Sequence, residues 1–170
     1  FSGDEMMKKL YLIGGTMGVG KTSVSQCMKR ELPNAIFLDG DWCWDADPFQ
    51  VTEETKEMVI NNICYLLNRF IQCSAYENII FCWVMHEQSI IDTILNKVKI
   101  TDCHVKIVSL MANEETLTER IMKDVNSGSR GADVLERSIA RIPFYQFINS
   151  VKVQTDSKTV YEIAKEIVGV

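Results

Sequence analysis

With 170 residues, of which 46% are apolar, the chain is long enough to bury a core without disulfides or metals, and we expect a single domain over residues 1–170. The formal net charge of −5 at pH 7 argues against general binding to nucleic acid or anionic membranes, because both are polyanions. The cysteines form no C-x-x-C pair, and no apolar run approaches the length of a membrane span. We therefore predict a cytoplasmic protein, monomeric or homodimeric, with reduced cysteines and without a nucleic-acid or membrane partner.

The first predicted strand, Lys8 to Gly14, leads directly into the most informative motif of the chain. Gly15-Thr16-Met17-Gly18-Val19-Gly20-Lys21-Thr22 fits the pattern G-x-x-x-x-G-K-[ST] of a phosphate-binding loop, and a helix is predicted from Lys21 to about Leu32. Glycines let successive backbone N–H groups point at an anion, and the helix adds the positive end of its dipole. The loop and the following Ser23 are predicted to bind ATP, with Lys21 on the β- and γ-phosphates and Thr22 on Mg²⁺. The alternative is a degenerate loop that no longer binds nucleotide.

The second predicted strand, Ala35 to Asp39, ends in Asp39-Gly40-Asp41. Ligands of open α/β sheets bind beyond the carboxyl ends of the strands, so both carboxylates are expected to face the nucleotide. One of them can hold magnesium, and the other can orient an acceptor hydroxyl or accept its proton. Either carboxylate could instead cap the following segment.

With this loop and this acidic pair, the chain resembles the small P-loop kinases of the nucleoside-monophosphate-kinase-like superfamily. That group includes shikimate, adenylylsulfate and gluconate kinases and chloramphenicol phosphotransferases. The resemblance implies ATP and Mg²⁺ as cofactors and a small lid, placed at about residues 124–133. It makes Asp39 the metal-side residue and Asp41 the acceptor-side base, although the two roles could be exchanged.

Aromatic side chains follow the acidic pair, where an acceptor pocket is expected. Trp42 and Trp44 suit a flat or ring-shaped acceptor. Lys56 is the only basic residue between Glu31 and Arg69, which favours an acceptor without a phosphate group. The alternative is that both aromatic side chains pack beneath the next helix.

Short apolar runs alternate with segments of helical period along the rest of the chain, which is typical of a parallel sheet. We predict an α/β fold of three layers, with a five-stranded parallel sheet and helices on both faces. The remaining strands are expected at Asn78 to Met85, His104 to Met111 and Ser150 to Thr155. Apolar stripes mark helices around Val59 to Phe70 and Ile90 to Val98.

The end of the third predicted strand departs from a common P-loop pattern, because it carries His86-Glu87 where many such proteins place a magnesium-binding aspartate. Both residues are candidates for contacting the substrate. Glu87 is also a candidate for part of the metal role, and His86 for a base near neutral pH. Each is equally compatible with the start of a helix.

Leu117-Thr118-Glu119-Arg120-Ile121 followed by Arg130 resembles the approach to the lid in these kinases. The resemblance implies that Arg120 packs on the adenine, that Arg130 closes over the transferring phosphoryl group, and that Thr155 borders the adenine. A planar guanidinium can bridge two of the oxygens over which the transition state spreads its charge. The arginines could instead form salt bridges on solvated helix faces, and Thr155 could belong to an ordinary helix cap.

The last two predicted features concern flexibility and capping. The glycine-rich and charged segment Asp124 to Asp133 is predicted to be a mobile loop. The final helix, with Val160 and Ile167 on its apolar face, is expected to begin from a cap at Asp156 or Ser157.

Together, the residues and the resemblance predict a magnesium- and ATP-dependent phosphotransferase that acts on a hydroxyl of a small molecule. Lys21, Asp41 and Arg130 are its predicted catalytic residues. Its partners would be the nucleotide and a small-molecule acceptor. Two alternatives are a nucleoside or nucleotide kinase and a non-catalytic ATP-binding sensor or interaction module.

Overall fold

A parallel sheet of five strands lies at the centre of the computed structural model, which describes residues 7–128 and 133–170. The strand order is β2-β3-β1-β4-β5. The strands are β1 (Lys8–Gly14), β2 (Ala35–Asp39), β3 (Asn78–Cys82), β4 (Cys103–Met111) and β5 (Val151–Gln154). All four pairings are parallel, as the alternation of short apolar runs with helical segments predicts.

Helices connect the strands and cover the sheet. They are α1 (Lys21–Glu31), α2 (Glu53–Gln72), α3 (Gln88–Lys97), α4 (Glu114–Asn126), α5 (Val134–Arg141) and α6 (Val160–Gly169). Short 3₁₀ helices lie at Gly40–Cys43 and Ile142–Phe147. In the two described ranges, no helix combines the length and the apolar character needed to cross a bilayer.

The central strand β1 divides the apolar core into two layers because its side chains alternate between the faces of the sheet. Tyr11 and Ile13 pack into one cluster with side chains of α1 and α6. Leu10 and Leu12 pack into a second cluster with side chains of α2 and α3. All four are 0–1% exposed, and full burial of one such side chain contributes about 1.5–3 kcal/mol. The three-layer α/β prediction is confirmed.

The third strand is shorter than predicted, and the difference lies at the edge where ligands bind. β3 ends at Cys82, whereas the apolar run suggested Met85. The run is misleading because the chain turns while its side chains stay buried: Met85 has a φ of 40° and is 1% exposed. Register aligns Asp39 and Ile13 with Cys82, so the carboxyl ends of β2, β1 and β3 are level.

Two predictions in the C-terminal third are wrong. The final helix is capped by Thr159, whose side chain accepts the N–H of Glu162, because Ser157 has a φ of 59° and Asp156 instead accepts the N–H of Asn113. The predicted loop is wrong at its start, because residues 124–126 are the last residues of α4, and residues 129–132 of that loop lie outside the described residues. Ser127 is the C-cap residue of that helix, and Gly128 follows with a φ of 79°, which suits the left-handed residue after a helix.

Candidate active site

The loop between β1 and α1 has the backbone conformation that an anion site needs. Gly18 and Gly20 have φ values of 83° and 103°, in the region that a Cβ atom disfavours. Gly20 is also the N-cap residue of α1, so no capping side chain occupies the space before the first helical N–H groups. Those N–H groups and the positive end of the helix dipole are therefore available to a phosphate group.

Lys21 and Thr22, the first residues of α1, bring an ammonium and a hydroxyl group to the same cleft. Lys21 Nζ donates to the carbonyl oxygen of Thr16 at 3.1 Å, which places the ammonium group across the loop. Thr22 Oγ1 donates to Asp39 Oδ2 at 2.9 Å. The hydroxyl of Thr22 is thus held against the carboxylate at the end of β2.

Asp39 is the most buried carboxylate of this region, at 6% exposure. Its Oδ1 accepts the N–H of Asp41 at 3.0 Å, while Oδ2 accepts the hydroxyl of Thr22. A carboxylate beside a hydroxyl oxygen supplies the hard oxygen ligands that Mg²⁺ prefers, and Mg²⁺ commonly takes its other ligands from phosphates and water. The donor set of Thr22 and Asp39 therefore fits the magnesium ion that the motif implies.

Gly40 separates the two aspartates and lies against the ring of Trp83. A Cβ atom built on Gly40 would fall 2.5 Å from Trp83 Cγ and 2.7 Å from Cδ1, well inside an ordinary carbon contact of about 3.5 Å. The backbone that carries this ring is fixed, because the N–H of Trp83 donates to Ile13 O at 3.1 Å. The path of the chain between the aspartates therefore depends on glycine at this position.

Cys82 occupies the end of β3, level with Asp39 in the next strand. Burial raises the pKa of its thiol to about 12, and the Asp39 carboxylate adds to the rise while Lys21 opposes it. The thiol is therefore protonated and neutral near pH 7. The apolar neighbours of Cys82 in the sequence indicate a buried residue, but they do not indicate that it lies beside the acidic pair.

A cleft of ≈ 550 Å³ runs along the loop toward α4 and α6. Its lining includes the loop residues from Met17 onward, Asp39, Asp41 and Arg120, all of which the sequence singled out. The cleft is also lined by residues that were not singled out as site residues: Lys123, Asp124, Lys158, Val160 and Ile163. For Val160 and Ile163, the sequence signal that could have found them is the position of α6 after β5, since ligands of such sheets lie beyond the carboxyl ends of strands.

Arg120 lines this cleft and contacts Thr155, which the resemblance placed beside the adenine but which is not among the residues that line the cleft. Arg120 Nη1 donates to Val19 O at 3.0 Å and to Thr155 Oγ1 at 3.1 Å, and Nη2 donates to Thr155 O at 3.3 Å. Thr155 is fully buried and donates through both N and Oγ1 to Met111 O. One guanidinium group therefore ties the phosphate loop to the segment after β5. Arg130, the other predicted arginine, lies outside the described residues.

The two predicted tryptophans face different surroundings. Trp44 lines a second cavity, of ≈ 250 Å³, together with Cys43, Pro48 and Met58, and its ring centroid lies 4.6 Å from that of Phe49. Trp42 is 58% exposed, packs edge-on against Phe37, and lines neither of these two cavities. Asp41 is exposed and lines the larger cleft. Of the two tryptophans, Trp44 is therefore the one that lines a cavity formed by described residues.

His86 and Glu87 lie between β3 and α3, and neither lines the two cavities formed by described residues. His86 Nε2 is 3.6 Å from Glu87 Oε1, and its Nδ1 is buried without a hydrogen-bond partner among the described residues. Burial and, next, the nearby Arg141 cation lower the pKa of His86, while Glu87 opposes the change. Glu87 is the N-cap residue of α3, which is the structural role that its position also predicted.

A level parallel sheet, a glycine-rich loop after β1 and a threonine bonded to an aspartate together define the class of P-loop α/β proteins. The chain belongs to the AAA domain family, whose sequence profile matches residues 12–141. The prediction of a P-loop domain is thereby confirmed. No curated protein matches the chain in sequence.

Solved kinases share the fold over nearly the whole chain. A gluconokinase from Sinorhizobium meliloti 1021 has a TM-score of 0.68 at 17% identity, with 96% of this chain and 91% of that chain covered. An APS kinase from Mycobacterium tuberculosis, solved with AMPPNP and APS, has a TM-score of 0.65 at 13% identity, with 96% of each chain covered. A shikimate kinase from Acinetobacter baumannii, solved with shikimate, has a TM-score of 0.61 at 18% identity, with coverage of 96% and 92%. Identities this low establish the fold and not the substrate.

Proposed function

We propose that this chain is a magnesium- and ATP-dependent phosphotransferase that moves the γ-phosphoryl group to a hydroxyl of a small molecule. The observation that carries the proposal is the contact between Thr22 Oγ1 and Asp39 Oδ2 at 2.9 Å, at the end of an intact phosphate loop. Nucleotide binding alone needs only the loop amides and Lys21. A buried carboxylate aligned with the loop threonine adds the ligands that phosphoryl transfer requires for its metal ion.

Each residue of the loop has a distinct part in this proposal. The N–H groups of Gly18 to Thr22 would bind phosphate oxygens, and Lys21 would move from Thr16 O to the β- and γ-phosphates. Thr22 and Asp39 would hold Mg²⁺, which neutralises charge on the phosphate oxygens when it is bound. Asp41, exposed to the same cleft, would orient the acceptor hydroxyl and accept its proton.

The second cavity is the proposed acceptor pocket. The N–H of Trp44 donates to Asp41 O at 3.2 Å, so the wall of this pocket and the proposed base are joined through the backbone. The wall offers the rings of Trp44 and Pro48, the thioether of Met58 and the carboxylate of Asp45, and none of its lining residues is basic. These groups suit a ring-bearing acceptor without a phosphate or carboxylate group.

Phosphoryl transfer is tested by magnesium-dependent ADP release with a panel of sugars, ring-bearing alcohols, nucleosides and nucleotides. One acceptor class should stimulate release, and Lys21→Ala and Asp39→Asn should each lower the stimulated rate by at least about 100-fold. Lys29→Ala is the matched control, because it removes the same charge from the exposed end of the same helix. Full turnover in Lys21→Ala would overturn the proposal. Stimulation of ADP release by nucleoside monophosphates alone would favour the alternative of a nucleotide kinase.

The acceptor pocket is tested with three acceptors that share one ring and one hydroxyl: benzyl alcohol, 4-(hydroxymethyl)benzylamine and 4-(hydroxymethyl)benzoate. Of the three, 4-(hydroxymethyl)benzoate should have the lowest kcat/KM, since the residues that line the pocket include Asp45 and no cation. Trp44→Ala should raise the acceptor KM more than Trp42→Ala, because only the first ring lines the pocket. A preference for the benzoate, or a larger effect of Trp42→Ala, would contradict this assignment.

A further inference from the structure

Ser138 of α5 makes two hydrogen bonds with the phosphate loop, one buried and one partly buried. Its hydroxyl donates to Met17 O, and its own carbonyl oxygen accepts the hydroxyl of Thr16 at 2.7 Å. Ser138 is fully buried, and Thr16 is 2% exposed. Each hydroxyl has one proton and both protons go to carbonyl oxygens, so the 3.0 Å separation of the two hydroxyl oxygens is a packing contact.

These contacts bear on the orientation of the loop peptides. A phosphate site needs loop N–H groups that point inward, and the corresponding carbonyl groups then point away from the anion and need donors of their own. Met17 O receives its donor from Ser138, and Val19 O receives its donor from Arg120. The two donors come from α5 and α4, so two consecutive helices hold the outer side of the same loop.

A carbonyl group in this partly buried position that loses its donor costs up to about 3 kcal/mol, which would favour any loop conformation that turns the group toward water. Such a conformation rotates the adjoining peptide and takes its N–H away from the phosphate. The apparent Kd for nucleotide then rises by the reciprocal of the fraction of molecules that keep the binding conformation. Ser138 therefore acts on nucleotide affinity without touching the nucleotide.

We propose that Ser138 is a positioning residue that holds Thr16 and Met17 of the phosphate loop in the conformation that binds the nucleotide phosphates. This inference rests on the nucleotide binding included in the proposed function. It adds a residue outside the sequence motif, more than one hundred positions along the chain, whose hydroxyl sets the affinity of the loop.

The test is calorimetric titration with Mg-ATP and Mg-ADP, which needs neither an acceptor nor turnover. Ser138→Ala should raise the Kd for both nucleotides about tenfold, as expected for a loss of about 1.4 kcal/mol. Ser109→Ala is the matched control. Ser109 is 1% exposed and its hydroxyl lies 2.7 Å from that of Ser150, so this variant also loses a partly buried serine contact. Ser109→Ala should lower the melting temperature by about as much as Ser138→Ala does, and it should leave the Kd for both nucleotides unchanged.

A second pair of variants separates positioning from simple loss of packing. Thr16→Val keeps the shape of the side chain and loses the donation to Ser138 O, so its Kd should rise. Thr16→Ser keeps the hydroxyl and should recover most of that loss. An unchanged Kd in Ser138→Ala, or an equal rise in Ser109→Ala, would overturn the inference. If the unsubstituted protein binds no nucleotide, the proposed function fails first, and the two failures are distinguished.

Discussion

Replacing Gly40 with alanine tests whether the close approach of Trp83 fixes the acidic pair. The added Cβ atom would lie 2.5, 2.7 and 2.9 Å from three carbon atoms of Trp83, against an ordinary separation of about 3.5–4.0 Å. Either the ring or the backbone between Asp39 and Asp41 must shift by about 1 Å. Because the ring packs against the core layer that contains α2 and α3, neither can shift freely.

Overpacking of this kind typically costs about 1–3 kcal/mol. For a chain of this size each kcal/mol lowers the melting temperature by about 2–4 °C, so Gly40→Ala should lower it by about 2–12 °C in thermal unfolding followed by circular dichroism. Turnover should fall further than the loss of folded protein alone would explain, since the displaced backbone carries both proposed carboxylates. The cost of Gly40→Ala should be smaller when Trp83→Ala is also present, because alanine lacks Cγ and Cδ1, the two nearest of the clashing atoms.

Gly169→Ala serves as the control, because a Cβ atom there meets no atom within 4 Å. Its melting temperature should stay within about 2 °C of the unsubstituted protein, in line with surface substitutions generally. A Gly40→Ala protein with normal stability and normal turnover would refute the role assigned to the contact between Gly40 and Trp83.

Two further predictions follow from single side chains. Arg120→Ala should raise the Kd for Mg-ATP severalfold, since it removes the donors to Val19 O and Thr155. Arg137→Ala, which removes an exposed ion pair with Asp133, should leave that Kd unchanged, and equal effects of the two substitutions in calorimetry would argue against the role of Arg120. Because the pKa of His86 is lowered in the folded protein, the unfolded chain binds more protons just below about pH 6.5, and stability contributed by the neutral imidazole is lost as pH falls from there. Urea unfolding between pH 5 and 7.5 should therefore show a weaker pH dependence in His86→Gln, and identical slopes in the two proteins would contradict the shift.

Local patterns in the sequence were sufficient to predict the layers of the fold and the phosphate loop. The loop motif carries its own geometry, because glycine is needed where φ is positive and a helix must follow. Strand β2 matched its predicted bounds, Ala35 to Asp39, since a charged residue ends its apolar run. The end of β3 was misjudged because Trp83, Val84 and Met85 continue the apolar run after the strand pairing has ended.

The parts of the site that could not be predicted depend on contacts between distant segments. Nothing in the neighbourhood of Ser138 distinguishes it from other serines of an amphipathic helix, and only the packing of α5 against the loop gives its hydroxyl a role. The tryptophans illustrate the same limit, since Trp42 and Trp44 lie two residues apart in one aromatic segment yet have different surroundings. Sequence spacing indicates which residues are close along the chain, but tertiary packing decides which of them share a cavity.

The donors to the loop carbonyls have a consequence for the order of events during synthesis. The loop lies near the start of the chain, whereas Arg120 and Ser138 follow the carbonyl groups they bind by 101 and 121 residues. A nascent chain that ends between Thr22 and Arg120 contains the whole phosphate motif but lacks both donors. Contacts of such long sequence separation form late, and translation needs seconds to supply them. Competence for tight nucleotide binding should therefore arise only when the segment through Ser138 has left the ribosome.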